Sequence, residues 1–128
     1  MKKQIFMEII AVAIGGFIGG ALRATMMGLI NSSSFPWSTI IVNLSGTFVS
    51  ALLVIILADL IKLKQPMADF MMIGILGAYT TFSTALVDII HLSFTLGLAY
   101  LLISIVGGVI MVLFSRYIGR KMVAAWHK

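Results

Sequence analysis

Two groups of polar residues lie inside apolar stretches of this sequence, where a polar group is costly unless it has a partner. The first group is the single amide of Asn43. The second is a cluster of glycine and hydroxyl residues, made up of Gly77, Thr80, Thr81, Ser83 and Thr84. Backbone and hydroxyl oxygens can coordinate a cation, whereas amide and hydroxyl hydrogens can bind an anion. Both groups are therefore candidates for contact with an ion.

The stretch 74–87 predicts a helix that is interrupted at mid-membrane, between about Gly77 and Thr81. Glycine permits backbone conformations that other residues resist, and a break leaves carbonyls on one half-helix and amides on the other without helical partners. In transporters and channels such breaks place oxygen ligands and positive dipole ends at an ion. The alternative is a continuous helix whose small residues allow close packing.

Asn43 and Arg23 are candidate donors to an anion. The NH2 group of Asn43 could donate to an ion, or it could form an interhelical hydrogen bond that stabilises the bundle. Arg23 lies at the end of an apolar span, where a guanidinium either reaches the lipid headgroups or faces an aqueous vestibule and concentrates anions. The sequence alone leaves these alternatives open.

The elements that must position these residues are transmembrane helices. Hydrophobic residues make up 61% of the 128 residues, charged residues make up 10%, and the mean hydropathy is +1.15. Such a composition leaves too little polar surface for a soluble domain. Runs long enough to cross a bilayer occur at about 5–27, 39–60, 68–91 and 95–118. We therefore predict an all-α membrane protein, a single four-helix domain over residues 1–128 with the break in its third helix.

The first span is expected to remain as a helix and not to be a cleaved signal, because glycines and Arg23 continue it past a normal signal core. Its overlapping pairs, Gly15 with Gly19 and Gly16 with Gly20, are typical of close helix packing. No nucleophile is paired with a base, so the sequence does not indicate an enzyme. Asp88 and His91 lie near a membrane interface, and the lone histidine is a poor metal ligand. The absence of cysteine excludes disulfides and thiolate metal sites.

The basic residues are distributed unequally between the two sides of the membrane. A net charge of +5 would suggest nucleic acid in a soluble chain, but these residues flank apolar segments, so we expect no nucleic-acid partner. Arg23 is alone on one side. The other side has eight: Lys2, Lys3, Lys62, Lys64, Arg116, Arg120, Lys121 and Lys128. This bias predicts a single orientation with both termini in the cytoplasm.

Three separated stretches resemble the Fluc (CrcB) family of fluoride channels. They are GGFIGGALR at 15–23, TIIVNLSG at 39–46 and GAYTTFST at 77–84. The number of spans and the linker lengths also match, so the resemblance covers nearly the whole chain. It implies a fluoride-selective channel in the plasma membrane of a prokaryote, which lets toxic fluoride leave the cytoplasm passively and assembles as an antiparallel dimer.

The resemblance also implies roles for particular residues. The backbone carbonyls of Gly77 and Thr80, from both subunits, would surround a structural sodium ion that is not transported. Asn43, Ser83 and Thr84 match positions that supply hydrogen-bond donors along the anion pathway. Phe82 matches an aromatic residue whose positively polarised ring edge can face an anion. Arg23 would be the vestibule cation.

Two departures from the family pattern bear on the pore. The family run normally ends in a second phenylalanine, whereas this chain has Ala85, and a methyl group cannot present a ring edge. Helix four offers Gly107 and Gly108 where relatives often carry a hydroxyl. Both changes would remove ion contacts from a pore lined by this subunit, and one conduction path would be degraded.

The charge bias also predicts the kind of dimer. An antiparallel homodimer needs a subunit that inserts both ways, and hence nearly balanced charge. We therefore expect a heterodimer with an oppositely oriented paralogue, with a homodimer as the alternative, in contact with membrane lipid. Two other functions stay open. A small multidrug-type transporter usually needs a membrane-embedded carboxylate, but the first span has only Glu8, near its start. A non-conducting partner subunit would accommodate Ala85.

Overall fold

The computed structural model describes residues 1–30 and 34–126. Part of the predicted linker at 31–38 and the basic residue Lys128 lie outside the described residues. The described part is all-helical: α1 is Lys2–Leu29, α2 is Trp37–Asp59, α3 is residues 65–79, α4 is Phe82–His91 and α5 is Phe94–Trp126. Within α3 the hydrogen bonding widens to a π-helix over Phe70–Leu76.

Four helical segments are long and apolar enough to cross a membrane, as the sequence predicted. They are Lys2–Leu29, Trp37–Asp59, Gln65–His91 and Phe94–Trp126, and the third consists of α3 followed by α4. The last helix continues eight residues past the predicted end at 118. Its 33 residues correspond to about 50 Å, so one or both of its ends must lie outside a hydrocarbon core of about 30 Å.

The contact between α1 and α3 depends on glycine. A Cβ atom added to Gly74 would lie 2.8 Å from Gly15 Cα, and one added to Gly19 would overlap the carbonyl oxygen of Ile75. The two backbones approach too closely for any side chain at these positions. At Gly16 and Gly20 an added Cβ would meet nothing within 4 Å. Only one of the two overlapping glycine pairs therefore forms this contact.

The helices α2 and α5 pack side by side and run in the same direction. Leu44 lies against Gly107, and Ile55 lies against Gly119 further along both helices. Between these contacts, the buried Ser115 hydroxyl donates to the Phe48 carbonyl at 2.9 Å. This hydrogen bond between helices gives the buried hydroxyl a partner, so it stabilises the packing of α2 against α5 in apolar surroundings.

The directions of the helices bring the described basic clusters to one end of the bundle. The start of α1 and the start of α3 line one cleft, with Met7 and Met67 among its residues. The connection between α2 and α3 leads to the start of α3 and therefore lies at this end of the bundle. The last part of α5 also lies at this end, because α5 runs parallel to α2. Arg23 lies near the opposite end of α1.

Few side chains are buried within the single chain. Among the described residues, the buried hydrophobic side chains are Ile40, Val42, Leu76 and Tyr100, whereas every helix also has large hydrophobic side chains that are exposed. Phe17 and Phe82 are more than three-quarters exposed, at 79% and 78%. Such a surface is unsuited to water, and it fits hydrocarbon or another membrane helix.

Candidate ion-binding site

The third span is interrupted at Thr80 and Thr81. Thr80 has a ψ of 157° and Thr81 has φ and ψ of −146° and 119°, so both residues are extended, between Gly77–Tyr79 and the start of α4 at Phe82. Gly77 is helical, with φ of −62° and ψ of −37°, and no described glycine has a positive φ. The interruption therefore does not use the conformational freedom of glycine, on which the sequence argument rested.

The side chain of Asn43 forms hydrogen bonds with the Thr81 backbone in place of the helical bonds that are lost at the interruption. Its Nδ2 donates to the Thr81 carbonyl at 2.9 Å, and its Oδ1 accepts from the Thr81 amide at 2.8 Å. The two bonds fix the orientation of the amide, because only Oδ1 can accept the backbone proton. This is the interhelical hydrogen bond that the sequence left open, and it leaves one Nδ2 hydrogen for another acceptor.

Thr81 itself begins α4. Its Oγ1 accepts from the Thr84 amide at 3.2 Å and donates to the Thr84 hydroxyl at 2.8 Å. A threonine that accepts from the amide three residues later is a standard N-cap. The sequence predicts that Thr81 belongs to the polar cluster and to the break, but not that it is an N-cap. The threonines at positions 81 and 84 are the signal that could have identified the cap.

The bond between Asn43 and the Thr81 amide and the N-cap bond of Thr81 leave two carbonyl oxygens without helical partners. In a continuous helix the Gly77 carbonyl would accept from the Thr81 amide and the Thr80 carbonyl from the Thr84 amide. The Thr81 amide is bonded to Asn43 instead, and the Thr84 amide is bonded to the Thr81 hydroxyl. The Gly77 and Thr80 oxygens therefore lack their helical partners, which leaves lone pairs for another ligand.

Arg23 lies at the interruption. Its Nη1 donates to the Thr80 carbonyl at 3.3 Å in a partly buried contact between α1 and the broken span. A carbonyl oxygen has two lone pairs, so this bond leaves room for one further interaction. The guanidinium also places a fixed positive charge beside the N-terminus of α4, and the potential there favours an anion.

A cavity of about 500 Å³ adjoins the interruption. Asn43, Gly77 and Thr80 line it, together with Thr47 and Ser50 from α2. Gly46 is also in the wall, and a Cβ there would overlap the Thr80 methyl group. The absence of a side chain at Gly46 therefore lets α2 approach the broken backbone. The structure brings together Arg23, Asn43, Gly77 and Thr80.

The other predicted pathway residues lie on α4 and are not among those that line this cavity. Phe82 is 78% exposed, Ser83 is exposed and Thr84 is half-buried beside the cap. The Phe82 ring is thus open to contact from outside the chain. Ser45 and Tyr79, which the sequence pattern did not indicate as site residues, share a hydrogen bond of 2.9 Å between their hydroxyl oxygens.

The positions that depart from the family pattern have different surroundings. The Leu44 side chain fills the space beside Gly107, because a Cβ added to Gly107 would lie 3.1 Å from Leu44 Cδ2. Gly108 has nothing within 4 Å of an added Cβ. Ala85 is half-buried on α4, one turn after Phe82. Among the described residues, no group of three or more His, Cys, Asp or Glu could hold a metal ion.

The fold and the site define a small multi-pass membrane protein with a broken span beside a cavity that polar and apolar residues line together. The model of one protein family, described as "CrcB-like protein, Camphor Resistance (CrcB)", matches residues 10–116. The matched region includes the whole candidate site and most of every span. The chain belongs to the CrcB family.

Similar proteins cover most of the chain. A protein of Listeria innocua named "Fluoride-specific ion channel FluC 2" is 34% identical over 120 residues, which are 91% of this chain and 93% of the relative. A protein of the same name from Ligilactobacillus salivarius is 39% identical and covers 89% of this chain and 86% of its own length. A "Fluoride-specific ion channel FluC" of Ruminiclostridium cellulolyticum is 38% identical over 72% of each chain. The family is one of ion channels and not of enzymes.

Proposed function

We propose that this chain is a subunit of a fluoride-selective channel that lets fluoride leave the cytoplasm passively. The observation that carries the proposal is the interruption at Thr80 and Thr81, which Asn43 holds in place and which adjoins a cavity lined by both polar and apolar residues. Maintaining non-helical backbone inside a membrane is costly, and it is tolerated where it is covered by protein or lines a water-filled cavity. Membership of the CrcB family and the names of the relatives support fluoride as the ion.

Sodium is the proposed structural ion. The carbonyl oxygens of Gly77 and Thr80, freed from their helical partners, would bind it, with the same two oxygens from a second subunit. Such oxygens suit a hard monovalent cation, and the bound charge would raise the local potential for an anion. Arg23 already donates to one of these oxygens, so its charge and that of sodium would act in the same region.

The proposed anion pathway uses Asn43, Phe82, Ser83 and Thr84. A small, strongly hydrated anion must exchange its water for donors, and the remaining Nδ2 hydrogen of Asn43 is one such donor. The exposed Phe82 ring would offer its positively polarised edge to the pathway of a dimer. Arg23 would attract the anion towards the entrance.

The proposed assembly is an antiparallel heterodimer in the plasma membrane of a prokaryote, with both termini of this chain in the cytoplasm. Its support is the excess of basic residues at one end of the bundle. A partner of opposite orientation would carry its basic residues mainly on the other loops. The exposed apolar faces would then be divided between that partner and lipid.

Fluoride efflux from liposomes tests this function. The full chain is reconstituted with and without an oppositely oriented paralogue, and efflux is followed with a fluoride electrode, with chloride efflux as the selectivity control. We expect fluoride but not chloride to leave. Replacing sodium on both sides by the larger N-methyl-D-glucamine should reduce the flux if the structural ion is required. Efflux equal to that of the paralogue alone would instead identify a non-conducting subunit, and proton-coupled drug uptake would identify a transporter.

A further inference from the structure

A groove near the end of α5 combines basic, aromatic and apolar side chains. Its volume is about 470 Å³, and its lining consists of Leu113, Arg116, Tyr117, Arg120, Lys121 and Ala124. No carboxylate is among these lining residues. Three cations therefore share one groove without an acidic partner in its wall, which favours an anionic occupant.

The spacing of these residues along one helix explains the groove. Arg116 and Arg120 are four residues apart, and so are Tyr117 and Lys121, so each pair stacks along the helix. At 3.6 residues per turn, the two pairs flank Leu113 and Ala124. The short side chain of Ala124 leaves a hollow between the flanks. The Lys121 ammonium lies 4.5 Å from the centroid of the Tyr117 ring, a cation–π contact that orients one of the three charges.

The part of α5 before the groove is long enough to cross the hydrocarbon core, which would place the groove at the headgroup level of a membrane. Arg116 is 22 residues after the start of α5 at Phe94, a rise of about 33 Å against a hydrocarbon core of about 30 Å. Tyrosine and arginine are residues that anchor helices at this interface. A phosphate of a membrane lipid would thus lie at the height of the three cations.

An apolar stripe leads from the groove into the hydrocarbon region. Val106, Ile110 and Leu113 follow each other at spacings of four and three residues, so they lie on one face of α5, and all are more than half exposed. Ser115 and Gly119, which contact α2, lie on the opposite side of the helix. Acyl chains could pack along this stripe while their headgroup occupies the groove.

We infer that this groove binds the headgroup of an anionic phospholipid. The shared chemistry is a phosphate oxygen contacting Arg116, Arg120 and Lys121, with the Tyr117 ring beside it. The apolar stripe selects a lipid over free phosphate, because only a lipid has chains that can cover it. The inference is independent of ion conduction, since none of these residues belongs to the interrupted span or its cavity.

Lipid binding to the purified full-length protein in detergent tests the inference. Native mass spectrometry measures the affinity for dioleoyl-phosphatidylglycerol and for dioleoyl-phosphatidylcholine, which differ in headgroup charge but have the same chains. We expect the anionic lipid to bind more tightly. In the R120Q/K121Q variant its affinity should fall about 30-fold, since each basic residue near an anionic surface contributes roughly 1 kcal/mol.

The matched control is K62Q/K64Q, which removes the same charge from two exposed lysines outside the groove, and its affinity should change by less than about threefold. If R120Q/K121Q does not fold, the single variant R116Q serves instead, with an expected loss of about fivefold. Equal losses in the groove and control variants would overturn the inference, and so would equal binding of the two lipids. Inorganic phosphate competing as tightly as the lipid would assign the groove to a free anion and refute lipid binding.

Discussion

Asn43 connects the integrity of the interrupted span with its proposed pathway. One Nδ2 hydrogen and Oδ1 are bonded to the backbone of Thr81, so the side chain holds the extended segment in place. The second Nδ2 hydrogen is the one that remains for an ion. The structural and the functional interpretation of this amide are therefore compatible, because they use different hydrogens.

We predict that Asn43→Asp suppresses fluoride flux by more than about tenfold, since placing like charges side by side costs several kcal/mol. The carboxylate would also face the Thr81 carbonyl without a proton to donate. Efflux from liposomes that contain this chain together with the oppositely oriented paralogue measures the effect. Gln65→Glu, the same exchange at an exposed position, is the control and should retain the parent rate. An Asn43→Asp channel that assembles and conducts like the parent would remove Asn43 from the pathway.

Thr81 provides a second prediction at the scale of single residues. Thr81→Val keeps the shape of the side chain and the backbone bond to Asn43 but removes the hydroxyl that accepts from the Thr84 amide. We expect the free energy of unfolding to fall by about 1 kcal/mol, the typical value of an N-cap. Unfolding in detergent measures it. Thr25→Val, which removes an exposed hydroxyl bonded only to its own helix, should change stability by less than about 0.5 kcal/mol.

At the scale of elements, the contact between α1 and α3 distinguishes glycines that look alike in the sequence. Gly19→Ala would place a methyl group into the Ile75 backbone, and we expect it to lower stability by about 1–3 kcal/mol, as overpacking does. Gly20→Ala meets open space and should be neutral or slightly stabilising, because alanine favours helix. Thermal unfolding of the two variants in detergent makes the comparison. Equal losses would show that the helices do not pack as described.

These elements show what the sequence could predict. The four spans follow from apolar length alone, and the structure confirms them. The choice between Gly15 with Gly19 and Gly16 with Gly20 depends on how α1 is rotated towards α3, and a local pattern does not contain that rotation. The predicted span ends at 118 because Arg120 and Lys121 interrupt the apolar run, whereas the helix itself continues to Trp126.

The candidate site shows the same limit. The polar residues were identifiable because polar groups are costly in hydrocarbon. The bond between Asn43 and Thr81 joins residues 38 positions apart, so it depends on the packing of α2 against the broken span. The break lies at Thr80 and Thr81 because Asn43 bonds to the Thr81 backbone and the Thr81 hydroxyl accepts from the Thr84 amide. The sequence pattern instead indicates a break that uses the freedom of glycine, but Gly77 is helical.

At the scale of the whole molecule, the single chain leaves its proposed site incomplete. One chain supplies two freed carbonyl oxygens, whereas a small hard cation prefers more oxygen ligands. The Phe82 ring lies on the outside, and the cavity beside the interruption is lined by α2, α3, Thr80 and Val112 of α5. A second subunit that brings its own interrupted span against this face would complete both the cation ligands and the pathway.

The last prediction concerns that second subunit. The sequence predicts eight of the nine basic residues on one side of the membrane, a bias that favours one orientation, so we expect this chain alone to form few antiparallel dimers and to show little fluoride efflux. Coexpression with a paralogue whose basic residues lie on the opposite loops should restore efflux, with the partner supplying the aromatic residue that is missing where this chain has Ala85.

Lys62→Gln and Lys64→Gln, combined with two lysines placed in the loop after α4, should allow some dual insertion and partial activity from the single gene. Accessibility of engineered cysteines at each terminus reports orientation independently of flux. Full fluoride efflux from the unmodified chain, purified alone as an antiparallel dimer, would contradict the heterodimer and leave the fluoride assignment in place.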